Sequence, residues 1–205
     1  MATTAAMCAP ALALLLLLVS MDAPGAAAQR LGFGRCPSHR GMRDFDIKKF
    51  EGKWYEVERS FYLYEIISSC TSIYFSPKPS GNVKVAIKTV NRLTGSMSTS
   101  LGSANPLYEG SATLNYRVNT RLPSAVARMM PGVGLYTILH TDYDNYAILW
   151  SCSDLAVMHA DLVWVLGRKK ELPVEVRAQV YNKLVELGID TERLTLSRQR
   201  NCPVF

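Results

Sequence analysis

Gly52-Lys53-Trp54-Tyr55-Glu56-Val57-Glu58 follows directly on Phe45-Asp46-Ile47-Lys48-Lys49-Phe50-Glu51. A glycine, one residue and then a tryptophan open a run that reads as a β-strand from Trp54 to Arg59. Thr71 to Phe75 and Val83 to Val90 read as the next two strands, with the turn Pro77-Lys78-Pro79-Ser80-Gly81-Asn82 between them. Val83, Val85 and Ile87 alternate with Lys84, Ala86 and Lys88, the period of a strand with one face buried. The polar stretch Thr94 to Asn105 reads as a long hairpin tip. Further strands are expected near 107–117 and 122–130. Leu135 to His140 and Tyr146 to Cys152 flank the Asp144-Asn145 turn, and Ala160 to Leu166 comes last. Many short strands without interleaved helices indicate an all-β sandwich or barrel.

One helix is expected, from Pro173 to Leu187. Proline suits the first turn and Gly188 the position just past the end. Val176, Val180, Leu184 and Leu187 recur at helical spacing, so one face is apolar. A short strand near Leu194 to Leu196 follows. At the other end, residues 1–28 read as a signal peptide. Residues 9–19 form its apolar stretch, too short to span a bilayer, and Ala26-Ala27-Ala28 offers a small-residue cleavage site. Residues 29–205 are then one domain. The formal charge of +6 is scattered, with one short run at Arg168-Lys169-Lys170, and reads as a solvated basic surface. No basic helix or recognised module accompanies it, so no nucleic-acid partner is expected. Cys8 leaves with the signal. Cys36, Cys70, Cys152 and Cys202 remain, an even number in a secreted chain, so two disulfides are expected; spacing alone leaves three pairings open. No Cys-x-x-Cys or His-Glu-x-x-His spacing occurs, and no metal site is expected. There is also no Asn-x-Ser/Thr sequon.

Downstream of Gly52-x-Trp54 come Thr141-Asp142-Tyr143 in a late hairpin and Leu166-Gly167-Arg168 at the end of an apolar strand. This ordered set resembles the three signature segments of the lipocalins, within them the branch of apolipoprotein D, Lazarillo and the insect bilin-binding proteins. The resemblance covers roughly Cys36 to the C-terminus. It implies an all-β fold: an eight-stranded antiparallel up-and-down barrel with a C-terminal α-helix packed outside. It also implies the pairings Cys36–Cys152 and Cys70–Cys202, each closing a loop worth roughly 3–5 kcal/mol on a chain-entropy account. Gly52, Trp54, Thr141, Asp142, Tyr143 and Arg168 are then structural. Trp54 sits at the closed end, with the Arg168 guanidinium over its ring, a contact worth roughly 0.5–2 kcal/mol.

An eight-stranded barrel is just wide enough for one small ligand, so the inward strand faces are the candidate site. Arg168 shares parity with Leu166, Trp164, Leu162 and Ala160, and the resemblance makes Trp164 and Tyr136 pocket residues. Ile138 and His140 share the face of Tyr136. Cys152 faces out, which puts Tyr146 and Trp150 outside and Ala147 and Leu149 inside. Ile73, Phe75, Val85 and Ile87 complete the expected lining, an aromatic and aliphatic wall that suits an apolar ligand. Glu56 shares parity with Trp54 and is expected inside, hydrogen-bonded or partly hydrated, with an anchoring role for a ligand hydroxyl or amine as the alternative. Glu58 is expected to reach water near the open end.

Two loops are unusually apolar. Phe61, Leu63, Ile66 and Ile67 belong either to a lid over the mouth or to a contact with a membrane or lipoprotein surface. Met129 and Met130 read as adaptable lining, or else as thioethers open to lipid peroxides. No nucleophile elbow or P-loop is present, and an enzyme is not expected. The reading is a secreted, extracellular carrier or scavenger of a lipid, fatty acid, steroid or retinoid, with protection from lipid oxidation as an associated role. It needs no cofactor. A bilin or other pigment is the alternative ligand, and signalling or adhesion through the outer surface is the alternative in kind.

Overall fold

Strand β2 (Gly52–Ser60) begins at the signature glycine and is the seam on which the fold closes. The computed structural model describes residues 31–60, 67–122 and 133–204. After the short β1 (Leu31–Phe33) and β2 come β3 (Ser68–Pro77), β4 (Val83–Asn91), β5 (Met97–Pro106), β6 (Thr113–Val118), β7 (Gly134–Thr141), β8 (Tyr146–Leu155) and β9 (Met158–Gly167). Each of β2 to β9 pairs antiparallel with the next, and β9 returns to β2, so the strands form a closed eight-stranded barrel. Closure removes the unpaired edges of an open sheet. β1 adds to β9, and β10 (Leu194–Leu196) adds to β2.

Helix α1 (Val174–Glu186) lies outside the barrel. Its buried residues Val180 and Leu184 pack on Ile148, Val163 and Val165. This explains the unbroken burial of Tyr146 to Trp150 in β8. One face of that strand meets the barrel interior and the other meets the helix, so no polar alternation survives. Gly188, at φ +70°, ends the helix in the left-handed conformation that glycine adopts without strain.

Two expectations change. The stretch from Thr94 to Asn105 is not a hairpin tip: most of it is β5, in register with β4 from Val83↔Ala104 to Val90↔Met97. Its inward residues are serines, glycine and alanine, which leave no apolar alternation to read. The next strand starts at Thr113, because Leu107 to Ala112 are spent on a turn around Gly110 at φ +76°. The strand expected at 122–130 falls almost wholly outside the described residues, as do residues 1–28.

Both disulfides form as the resemblance implied, Cys36–Cys152 and Cys70–Cys202. A second tether joins the 3-10 turn Thr191–Arg193 to β9, where Arg193 grips Asp161 with two guanidinium nitrogens at 2.9 and 3.1 Å. Burial alone would raise the Asp161 carboxyl, but the Arg193 hydrogen bonds and charge, with the Trp150 indole N–H, lower it below the ordinary value. A carboxylate lowered on folding stabilises above its unfolded pKa of about 4, and that contribution is lost as pH falls through the lowered value. Asp161→Asn should therefore cost about 2 kcal/mol at pH 7. The gap from wild type in urea midpoint should close as the pH is taken below about 4. A gap that persists undiminished at acid pH would refute the ion-pair account.

Candidate ligand-binding site

The floor is built first. Trp54 is fully buried, stacks on Phe50 with ring centroids 4.9 Å apart, and donates its indole N–H to the Phe50 carbonyl at 2.9 Å. The Arg168 guanidinium lies 3.8 Å from the Trp54 ring centre. It donates to the carbonyls of Tyr143 at 2.8 Å, Glu51 at 2.8 Å, Lys49 at 3.1 Å and Lys53 at 3.2 Å. Gly52 is at φ +100°, and a side chain there would crowd Arg168 Nη1. In the Thr141-Asp142-Tyr143 turn, Asp142 Oδ1 accepts from the backbone N–H of Asn145 and Tyr146. Burial works against the Asp142 carboxylate, but these bonds prevail and its pKa is lowered. Three segments far apart in sequence thus meet at one end of the barrel and close it.

Above the floor lies a cavity of about 640 Å³, within the usual range for a small-molecule site. Ile73, Phe75, Val85, Ile87, Tyr136, Ile138, Leu149, Leu162 and Trp164 line it. Tyr136 and Trp164 are adjacent, with centroids 5.4 Å apart.

His140 does not line it. The β7–β8 register slips between Ile138 and His140, so the two residues no longer share a face. The imidazole stacks instead on Tyr146, with Nδ1 3.0 Å from the phenol oxygen, in the layer facing the helix. Burial lowers its pKa, and the Lys183 charge adds to that.

A second slip, between Glu56 and Glu58 in the β2–β9 pairing, separates the two glutamates. Glu56 stays on the cavity side, where its Oε1 pairs with Arg59 and accepts from Ser197 Oγ at 2.7 Å. Glu58 does not reach water: it is 1 % exposed. It turns under α1, pairs with Arg177 at 2.8 Å and accepts from the Tyr181 hydroxyl at 2.7 Å. A bulge inserts one residue and reverses parity, which simple alternation from Trp54 does not reveal.

The sequence reading missed part of the wall. Leu114, Tyr116 and Val118 of β6 face inward, and their alternation with Asn115 and Arg117 was the available signal. Thr71, Thr89, Ser98, Ser100, Ser151 and Ser153 also line the cavity, and no apolar pattern marks them. Ile67 is half-buried; Phe61, Leu63, Ile66, Met129 and Met130 lie outside the described residues. Among the described residues no cluster suited to a metal ion occurs, and no helix is long and apolar enough to cross a membrane.

Comparison with known proteins returns the same architecture. The family described as lipocalin-like domain matches residues 45–199. Apolipoprotein D of Cavia porcellus is 35% identical over 197 residues, covering 94% of this chain and 98% of that protein. The bilin-binding protein of Pieris brassicae is 26% identical over 167 residues, 80% of this chain and 84% of that one. Among solved structures, insecticyanin from the tobacco hornworm Manduca sexta superposes with a TM-score of 0.70 at 21% identity, covering 82% of this chain and 87% of that one.

Proposed function

This chain belongs to the lipocalin-like domain family, and from that premise we propose that it is a secreted carrier that holds a small hydrophobic molecule inside the barrel. The observation that supports this most is the cavity itself, floored by a buried tryptophan and walled by aliphatic and aromatic side chains. A ligand burying roughly 500 Å² of apolar surface at about 25 cal/mol per Å² gains roughly 12 kcal/mol. After an association cost of about 4 kcal/mol, about 8 kcal/mol remains, which corresponds to micromolar binding. The two disulfides suit an oxidising, extracellular setting. Lipids, steroids and retinoids are the ligand classes this wall suits, and any role against lipid oxidation would follow from sequestering them.

Trp164 supplies the test. Its ring lies beside Tyr136 in the cavity wall, so a bound chromophore should quench its emission. Titration with retinol, progesterone, palmitic acid and biliverdin should give saturable quenching by at least one, and Trp164→Phe should abolish most of that signal. If none of the four quenches saturably, the carrier reading fails, and an outer-surface role takes its place. The bilin alternative draws on the Pieris relative; a colourless preparation that also ignores biliverdin would dismiss it.

A further inference from the structure

The cavity is graded along its axis. β4 runs from floor to mouth as Val83, Val85, Ile87 and Thr89, and its β5 partners at the same heights are Ala104, Gly102, Ser100 and Ser98. Across the barrel, the cavity side of β8 changes from Ala147 and Leu149 to Ser151 and Ser153. On β4, β5 and β8 the lining therefore turns from hydrocarbon to hydroxyl toward the mouth, while Leu162 and Ala160 of β9 stay apolar beside Ser151 and Ser153. Thr89 and Ser98 are hydrogen-bonded to each other at 2.8 Å on this upper belt. Deeper in the wall, the buried Tyr116 directs its hydroxyl toward Ser100, and its ring rests over Gly102, where any side chain would collide with it.

Charge is the second half of the pattern. No lysine, arginine or histidine is among the described lining residues. Among those described residues the one charged group is Glu56, 2 % exposed and matched by Arg59. Hydroxyls donate and accept, so the belt can satisfy an alcohol, aldehyde or ketone oxygen. A carboxylate entering the same wall would lose its hydration with no cation among the described lining residues to replace it. We infer that the barrel selects neutral oxygenated apolar molecules, held oxygen toward the mouth, and discriminates against carboxylates of the same skeleton. This rests on the carrier reading and adds to it the charge and orientation of the ligand.

Three retinoids that differ only at the oxygen end make the test: retinol, retinal and retinoic acid, read by quenching of tryptophan emission on the full chain. Retinol and retinal should bind about tenfold tighter than retinoic acid. Ser98→Lys puts an ammonium on the exposed end of β5, and Ser153→Lys does so from β8 should the first fail to fold. Either should raise retinoic acid affinity relative to that of retinol about tenfold, the scale of one ion pair in a partly hydrated mouth, whatever retinol itself loses with the belt hydroxyl. Retinoic acid binding the wild type as tightly as retinol overturns the inference, as does a lysine variant that shifts all three alike. Uptake of the neutral dye Nile red separates the two levels: a cavity that takes the dye without this selectivity keeps the carrier reading. One that takes neither dye nor retinoid loses both.

Discussion

Trp54→Ala is expected to lower stability by about 3–5 kcal/mol, the range for deleting a large buried aromatic. The indole is fully buried between Phe50 and Arg168. Its removal takes away the stack, the cation contact and the hydrogen bond to the Phe50 carbonyl together. The neighbours cannot collapse into the space, because Arg168 is held by four backbone carbonyls. The void would open toward the ligand cavity and bring a guanidinium to its floor, so water would enter where the wall is now hydrocarbon. Ligand affinity should fall along with stability. Trp164→Ala is the control. That ring faces the cavity rather than being enclosed on all sides, so its loss should cost under about 2 kcal/mol of stability while removing binding. Urea midpoints for both variants decide the matter. A Trp54→Ala cost no greater than that of Trp164→Ala would mean that the floor is not where the fold is held.

Trp54, Tyr143 and Arg168 were legible through the resemblance to the lipocalin signature segments, whose residue types are fixed by the task each performs at the closed end. The resemblance oriented β9 and with it Trp164, and strand periodicity carried Ile73, Val85 and Leu149. His140 and Glu58 were not, and for one shared reason. Each lies just past a register slip, and a bulge is written in backbone hydrogen bonds rather than in hydrophobic pattern. The belt of serines and threonines was hidden differently. An inward face of Ser98, Ser100 and Gly102 has no hydrophobic period, so β5 looked like a loop tip. The feature that most constrains ligand chemistry is thus the one that hydrophobic alternation cannot signal.

Removing the Cys70–Cys202 bridge with paired serine substitutions is expected to cost about 3–5 kcal/mol, and to do more than removing Cys36–Cys152. The sequence separations are 132 and 116, so loop-closure entropy scarcely distinguishes them. What distinguishes them is what each bridge holds in place. Cys202 fixes a C-terminal segment whose buried Gln199 amide donates to the carbonyls of Glu56 and Thr71, both at 2.8 Å. In the same segment Ser197 Oγ donates to the Glu56 carboxylate, and the Cys70 N–H donates to the Arg198 carbonyl. Freeing that segment would loosen the seam between β2 and β3 and leave Glu56, in the cavity wall, short of a partner. Cys36 instead anchors a segment that runs outside the barrel, where His39 meets Trp150 edge-on at 5.0 Å. Both double variants should melt about 10 °C lower or more, at roughly 2–4 °C per kcal/mol for a domain of this size. Only the Cys70/Cys202 variant should also lose ligand affinity measured well below its melting point. Equal binding by the two variants would show that the C-terminal segment does not support the cavity wall, and that both bridges act through the unfolded chain alone.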